Sequence, residues 1–442
     1  MTARRSRLTQ TARVRLVALM NGAVVGNVYQ MGNGRLVFRY EDSWRMSESR
    51  YPLSLSMPLA ATEHGDRVIR SFLWGLLPDN PAVLEWWARR YGVSQHRVVD
   101  LLAHVGEDCA GAVQLATPER AAQLAGQATV DDEKTSVRWL DDAALGHRLR
   151  DLRLNPASGR MANDTGQFSL AGAQPKTALY QSANGRWGVP MGRMPTNRIL
   201  KPPTLGLDDL ALNEHYCLLL ARELGLSAAA SSVQHFGGEI AIVLERYDRE
   251  PVADRLIRVH QEDLCQALGV LPTHKYESDG GPGIAQIIDV LRQSSTDPDE
   301  DVLRFLDAVA LTWLLAATDG HAKNYSILHA PGPQLRLAPL YDVITALPYP
   351  QLSPDKSRLA MAIGGERLVT AIGSTHWEKL ARQTGIGAES LVERVSALAG
   401  RIPEAVGILN KREHADDHTR TVVARIGARV ASHARACRKR LR

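Results

Sequence analysis

Long apolar runs are missing from this chain of 442 residues. No window of eighteen consecutive apolar residues occurs, so no membrane-spanning helix is expected. The basic start from Met1 to Leu19 is interrupted by Arg13 and Arg15. Its uninterrupted apolar stretch, Leu16 to Met20, is too short for a signal-peptide core. Cysteine is scarce. Cys109, Cys217, Cys265 and Cys437 lie far apart with no CxxC pair, which argues against a disulfide framework or a zinc cluster and fits a reducing cytoplasm. The HExxH signature is absent, and His321 has no second ligand at metal spacing, which weakens a reading as a metal-dependent hydrolase. A decisive excess of one charge is also lacking: 53 Lys and Arg stand against 48 Asp and Glu. The basic surplus is local, because Lys411 to Arg442 holds ten basic residues and three acids.

What is present reads as an ordinary soluble globular chain, 44% hydrophobic and 23% charged, long enough for two or three packed units. From Val14 to Leu115 apolar and polar residues alternate around Asn21-Gly22 and Gly32-Asn33, predicting short antiparallel strands, with a helical stretch over 81–105. Residues 117–168 are polar, with acidic clusters at Asp131-Asp132-Glu133 and Asp141-Asp142 and a loop-like end over 155–167. Strand-like runs follow at 168–170, 177–180 and 198–201, then a helix over 212–224 and a strand pair at 231–236 and 239–245. Beyond His260 the pattern turns helical: 261–268, 284–291, 301–317, 388–398 and 419–441, with strand text near 325–328 and 335–337. The class is α+β, divided into residues 1–117, 118–259 and 260–442.

The most informative stretch is Thr318-Asp319-Gly320-His321-Ala322-Lys323-Asn324, between an apolar helix and a short strand, with Asp342 eighteen residues further on. An Asp, an Asn five residues later and a second Asp across a hairpin is what phosphoryl transfer needs: one carboxylate to take a hydroxyl proton, and two hard oxygens for Mg²⁺. Singly, each also reads as a helix cap or a turn residue. Upstream, Ser169 to Thr177 (SLAGAQPKT) forms a small-residue loop whose amides could approach phosphate, although it is not a Walker motif. Lys201 ends a predicted strand and Glu214 follows on the next helix, a spacing that lets a helix carboxylate hold a phosphate-binding lysine. Glu245-Arg246-Tyr247 ends the last strand of this half, where a connection between lobes would lie.

Together these segments resemble the HipA family of bacterial serine/threonine kinases, the toxin half of a toxin-antitoxin pair. The resemblance also rests on LSLSMPL (53–59), GEDCAG (106–111), HQEDLCQALGV (260–270), KYESDGGPG (275–283) and the Tyr341-Asp342-Val343 segment. It implies a two-lobed protein-kinase-like fold with a small mixed N-terminal subdomain, a nucleotide-binding α/β lobe and a mostly helical C-terminal lobe. It implies ATP and Mg²⁺ as cofactors and Asp319 as the base, with Asn324 and Asp342 holding the metal. Lys201 would contact ATP phosphates, and Ala171, Gly172, Ala173, Gln174, Pro175 and Lys176 would form the phosphate loop. Glu245, Arg246 and Tyr247 would meet adenine, with His321 and Tyr341 as further nucleotide contacts. Ser169 matches the family's autophosphorylated serine. Pro175 departs from the glutamate common in the family.

The resemblance further implies a helix-turn-helix antitoxin partner of HipB type, operator DNA reached through that complex, and a cytoplasmic protein substrate, for which an aminoacyl-tRNA synthetase is the family's example. Lys379 and Arg382, on one predicted helical face, are candidates for nucleic-acid contact, as are Arg425, Arg429, Arg435, Arg438, Lys439, Arg440 and Arg442. Competing readings are a small-molecule or lipid kinase and a non-catalytic co-repressor.

Overall fold

The computed structural model describes residues 13–126, 136–155, 168–204, 206–207, 209–253, 255–332, 334–352, 355–412 and 416–442. The acidic cluster at 131–133 and most of the loop-like end over 155–167 lie outside these residues.

The chain opens with β1 (Arg13–Met20) and β2 (Ala23–Gln30), joined by Asn21 and Gly22, both at positive φ, as a tight hairpin turn of this hand requires. β3 (Leu36–Tyr40) follows, then α1 (Asp42–Met46), β4 (Glu63–His64), α2 (Asp66–Gly75), α3 (Pro81–Tyr91), α4 (Val98–Val105) and β5 (Val113–Ala116). The strands form one antiparallel sheet in the order β4-β3-β2-β1-β5. Phe38, Phe72, Leu73, Leu101 and Leu102 fill the core between this sheet and the helices. The single helical stretch expected over 81–105 is two helices: Gly92 takes the left-handed conformation that closes α3.

The polar segment after residue 117 is more ordered than its composition suggests. It holds α5 (Pro118–Gly126), β6 (Val137–Leu140) and α6 (Asp142–Leu154). α6 was illegible because Arg148 occupies its buried face, donating to Thr177 Oγ1 at 3.1 Å while Leu145 and Leu149 pack on the sheet.

β7 (Thr177–Gln181), β8 (Trp187–Pro190) and β9 (Arg198–Lys201) come next, then α7 (Leu210–Glu223), β10 (Ser231–Phe236) and β11 (Glu239–Glu245). With β6 they form a six-stranded sheet in the order β10-β11-β9-β7-β8-β6. The expected strand at 168–170 is not formed: Phe168 makes only an isolated bridge to Asp108. A hairpin of β12 (Arg249–Val252) and β13 (Arg255–Arg258) leads into β14 (His260–Asp263) and the short α8 (Leu264–Ala267). The helix expected over 261–268 is therefore half strand: Asp263 caps α8 by accepting from Gln266 N, so the helix starts there.

The remainder is mostly helical: α9 (Ile284–Ser294), α10 (Pro298–Leu314), α11 (Ser374–Thr384), α12 (Ala388–Leu409) and α13 (Asp417–Arg440). β15 (Ser326–Ala330) and β16 (Gln334–Leu337) pair with β14, and β17 (Arg358–Ile363) pairs with β18 (Glu366–Leu368). Asp297 and Asp416 cap α10 and α13 by accepting from Glu300 N and Thr419 N. Trp313, Trp377, Ile402, Ile426 and Val430 belong to one large core that joins these helices to α7. No helix among the described residues is long and apolar enough to cross a membrane.

The N-terminal unit meets the rest through buried charge. Asp108 accepts from Arg249 Nη2 at 2.7 Å, Arg258 Nε at 3.3 Å and Thr196 Oγ1 at 2.6 Å, while Arg246 pairs with Asp248 at 2.8 Å. All five ionic groups are buried. Burial pushes the Asp108 carboxyl up, but Arg249, Arg246 and Arg258 outweigh it and hold it well below the usual carboxylate range.

Candidate active site

A cleft of about 410 Å³ lies between the six-stranded sheet and the helical half, with one wall from the N-terminal unit. Lys201, at the end of β9, is placed by β9's pairing with β7 and β11, and Pro202 and Pro203 follow it. Its Nζ donates to Glu214 on α7 at 2.8 and 3.1 Å and to Asp342 Oδ1 at 2.8 Å. Burial works against the ammonium charge, but Asp342 and Glu214 prevail and raise its pKa above the usual lysine value. Burial and the competing Asp342 push the Glu214 carboxyl up, because two carboxylates share one ammonium. Asp342 is held well below the usual carboxylate range: Lys201 and then Lys176 overcome its burial. Asp342 also stands at φ 56°, a left-handed conformation uncommon outside glycine and often found at functional positions.

On the facing wall Asp319 is two-thirds exposed, and its Oδ1 accepts from Tyr276 Oη at 2.6 Å. The backbone carbonyl of Asp319 accepts from His321 N and from Asn324 Nδ2, each at 2.8 Å. The Asn324 amide is thereby oriented, one of its two N–H donors committed to that carbonyl. His321 is buried edge-on against Tyr276, at 5.0 Å between ring centroids. Burial pushes its imidazole down to about 4, so it is neutral near pH 7, and its Nδ1 has no partner. Asp319, Asn324 and Asp342 line this cleft together and also share the wall of a smaller adjoining cavity.

The loop Ala171 to Lys176 forms the roof. Gly172 stands at φ 104°, a backbone conformation that strains any side chain, so glycine is favoured there. Lys176 donates to Ala171 O at 2.6 Å. Burial, then the charge of Lys201, pushes its ammonium down to about 8. Both amide atoms of Gln174 are buried without a partner. Pro175 is buried and stays off the cleft wall, unlike the other residues expected of this loop. Ser169 is also off the wall and fully buried, its Oγ donating to Leu76 O at 2.7 Å.

Glu245, Arg246 and Tyr247 reach the cleft, but the Arg246 side chain turns away to Asp248, Thr196 and Cys109 O, leaving only its backbone there. Tyr341 packs beside Tyr247 at 5.9 Å and donates to Lys323 O at 2.9 Å. Lys379 and Arg382 lie on α11, exposed and off the cleft, with Arg382 3.8 Å from Glu378. Of the basic residues on α13, Arg425 is committed to Asp209.

Three groups at the site carry no expectation from the sequence: Asp79 and Lys275 on the cleft wall, and Tyr276 beside Asp319. Asp79, after α2, accepts from Lys275 at 2.8 Å and from Lys323, and Tyr276 bonds Asp319. Lys275 and Tyr276 sat inside a quoted motif, and Asp79 carried no signal of its own.

The cleft suits a nucleotide and a divalent cation. Buried polar atoms of Gln174 and His321 lack partners on its wall, and Lys176 and Lys201 offer cations. No cluster of three His, Cys, Asp or Glu that could hold a metal occurs among the described residues. An amide oxygen with one carboxylate is nevertheless a donor set suited to Mg²⁺, which takes its other ligands from phosphates and water.

Known proteins resemble this chain along most of its length. The model for a HipA-like C-terminal domain matches residues 168–406, and that for a HipA N-terminal domain matches residues 16–116. The protein Y4mE of Sinorhizobium fredii is 36% identical over 389 residues, covering 87% of this chain and 89% of its own. The serine/threonine-protein kinase toxin HipA of Shewanella oneidensis is 28% identical over 381 residues, covering 83% and 82%. In the solved complex of Shewanella oneidensis HipA, HipB and operator DNA, one chain superposes with a TM-score of 0.80 at 24% identity, covering 95% of this chain and 96% of that one. The fold is thus two-lobed and kinase-like.

Proposed function

From the premise that this chain belongs to the HipA family, we propose that it is an ATP- and Mg²⁺-dependent protein serine/threonine kinase, the toxin of a toxin-antitoxin pair. The observation that carries the reading is Lys201 held between Glu214 and Asp342 across a cleft from Asp319. A strand lysine locked to a helix carboxylate is the arrangement that fixes nucleotide phosphates.

The residues divide the work. Asp319 Oδ1 is occupied by Tyr276, leaving Oδ2 to receive the proton of an acceptor hydroxyl. Lys201 and Lys176 neutralise phosphate charge, and the amides of Ala171 to Gln174 approach it through the opening that Gly172 provides. Neutral His321 donates or accepts one hydrogen bond to the nucleotide. Asn324 and Asp342 would hold Mg²⁺, which supplies charge neutralisation at the transferring phosphate. The backbone of Glu245 to Tyr247 meets the base, and Tyr341 closes that end.

Residues 1–117, 118–259 and 260–442 serve as subdomain, nucleotide lobe and catalytic lobe. Ser169 is the self-modification site, and a phosphate there would compete with ATP for the loop. A HipB-like repressor and its operator are the partners, Lys379 and Arg382 contact DNA, the site of action is the cytoplasm, and the substrate is a cytoplasmic protein.

Incubation with γ-labelled ATP tests the reading. Label should enter protein and not lipid, and Asp319→Asn and Asp342→Ala should each cut incorporation at least a hundredfold. Equal labelling by Asp319→Asn would overturn it and favour a non-catalytic co-repressor.

A further inference from the structure

Among the described residues, the N-terminal unit holds the phosphate loop at Ser169 and Gly172. Ser169 Oγ donates to Leu76 O at 2.7 Å, Ser169 N donates to Asp108 O at 3.0 Å, and Asp79 N donates to Gly172 O at 3.1 Å. Pro78 and Gly172 form a parallel bridge, as do Asp108 and Phe168. The turn from Leu76 to Asp79, just beyond α2, is therefore the surface on which the loop rests. That turn is fastened in the opposite direction by one side chain. The Asp79 carboxylate takes Lys275, from the segment that also presents Tyr276 to Asp319, and Lys323, next to Asn324. All three side chains are largely buried, at 12%, 14% and 3% exposure, so the charges have little water to replace a lost partner.

We propose that Asp79 is the latch of the phosphate loop: its bonds to Lys275 and Lys323 lock the Leu76–Asp79 turn onto the catalytic lobe, and releasing them frees the loop and exposes Ser169. The backbone bond to Gly172 places the turn, and the carboxylate determines whether it stays. With the latch shut, the Ser169 hydroxyl faces a backbone carbonyl in a dry pocket, beyond reach of any phosphoryl donor. As an account of how Ser169 becomes available, the proposal rests on the kinase reading; as an account of loop position it does not.

Thiol labelling reads the loop without nucleotide. All four native cysteines are buried, so a Ser169→Cys variant reports on that position against a low background. Adding Asp79→Asn, which keeps the backbone donor and removes only the charge, should speed labelling by Ellman's reagent at least tenfold. Lys275→Gln, a milder change, should speed it about threefold. Combining it with Asp79→Asn should add nothing further, because both act on one contact. Labelling at an unchanged rate in Lys275→Gln and in a folded Asp79→Asn would overturn the latch, as would multiplicative effects in the combined variant.

In the Ser169 background, Asp79→Asn should also raise phosphate incorporation at Ser169. Faster labelling with no phosphate at Ser169 would support the latch and count against the kinase reading of that serine.

Discussion

Lys201 carries one positive charge between two carboxylates, and Glu214 is wholly buried. Removing the cation leaves the buried Glu214 without a counter-charge and facing Asp342, a loss of about 3–5 kcal/mol. Lys201→Met should therefore lower stability by about that amount in urea unfolding and abolish ATP binding. Adding Glu214→Gln should recover stability without recovering ATP binding, and recovery of both would refute the role given to Lys201. Tyr276 poses a gentler question. Tyr276→Phe removes the donor that orients Asp319, so we expect kcat to fall roughly tenfold with KM for ATP within twofold, in keeping with the cost of losing one positioning contact. Steady-state rates at varied ATP decide it, and a rise in KM alone would contradict the assignment. The Lys201–Glu214 pair was legible in sequence because a strand end followed by an apolar helix fixes their relation. Asp342 as a second partner of Lys201 was not, and neither was Tyr276 beside Asp319, 43 positions away. Such contacts are created by packing, which spacing does not encode.

At the scale of elements, β14 and β15 bring His260 and His329 to 5.2 Å between centroids, with Tyr51 of the N-terminal unit stacked on both. His260 Nε2 bonds Leu53 O at 3.0 Å, and its Nδ1 accepts from Ala112 N at 3.4 Å. Other charged groups nearby are Glu262, bonded to His329, and Asp248. Burial, then the neighbouring His329, pushes His260 down to about 3. An unfolded chain binds a proton at this residue below its ordinary value near 6.5, and the folded one does not. Stability is thus lost as pH falls, at His260's share of about 1.5 kcal/mol between pH 6.5 and 5. Unfolding free energies from urea titrations at the two pH values should differ less in His260→Gln by that amount, and an identical difference would rule out the account. Elements with clean periodicity, such as the β10–β11 hairpin and α13, were readable. α6 was hidden by its buried arginine, and 168–170 reads as a strand although it joins no sheet, because its bonds go to Leu76 and Asp108.

For the molecule as a whole, charge on the outer surface is the accessible variable. If the Lys379–Arg382 face of α11 meets DNA backbone in a complex with a repressor, each charge removed reduces the slope of log affinity against log salt by about one. Lys379→Ala and Arg382→Ala should show this in salt titrations of the ternary complex, with operator preference unaltered. Slopes equal to the parent would remove this helix from the interface. Inside, one part of the joint between the N-terminal unit and the rest is made of guanidinium and carboxylate groups, Asp108 and Asp248 against Arg246, Arg249 and Arg258, beside the Tyr51 stack on His260 and His329. Surfaces of that chemistry are readily wetted if they part, whereas an oily joint would cling to whatever it met. For the charged part of the joint, water would take the place of each lost partner on parting, and the same pairs would be there to re-form on closing.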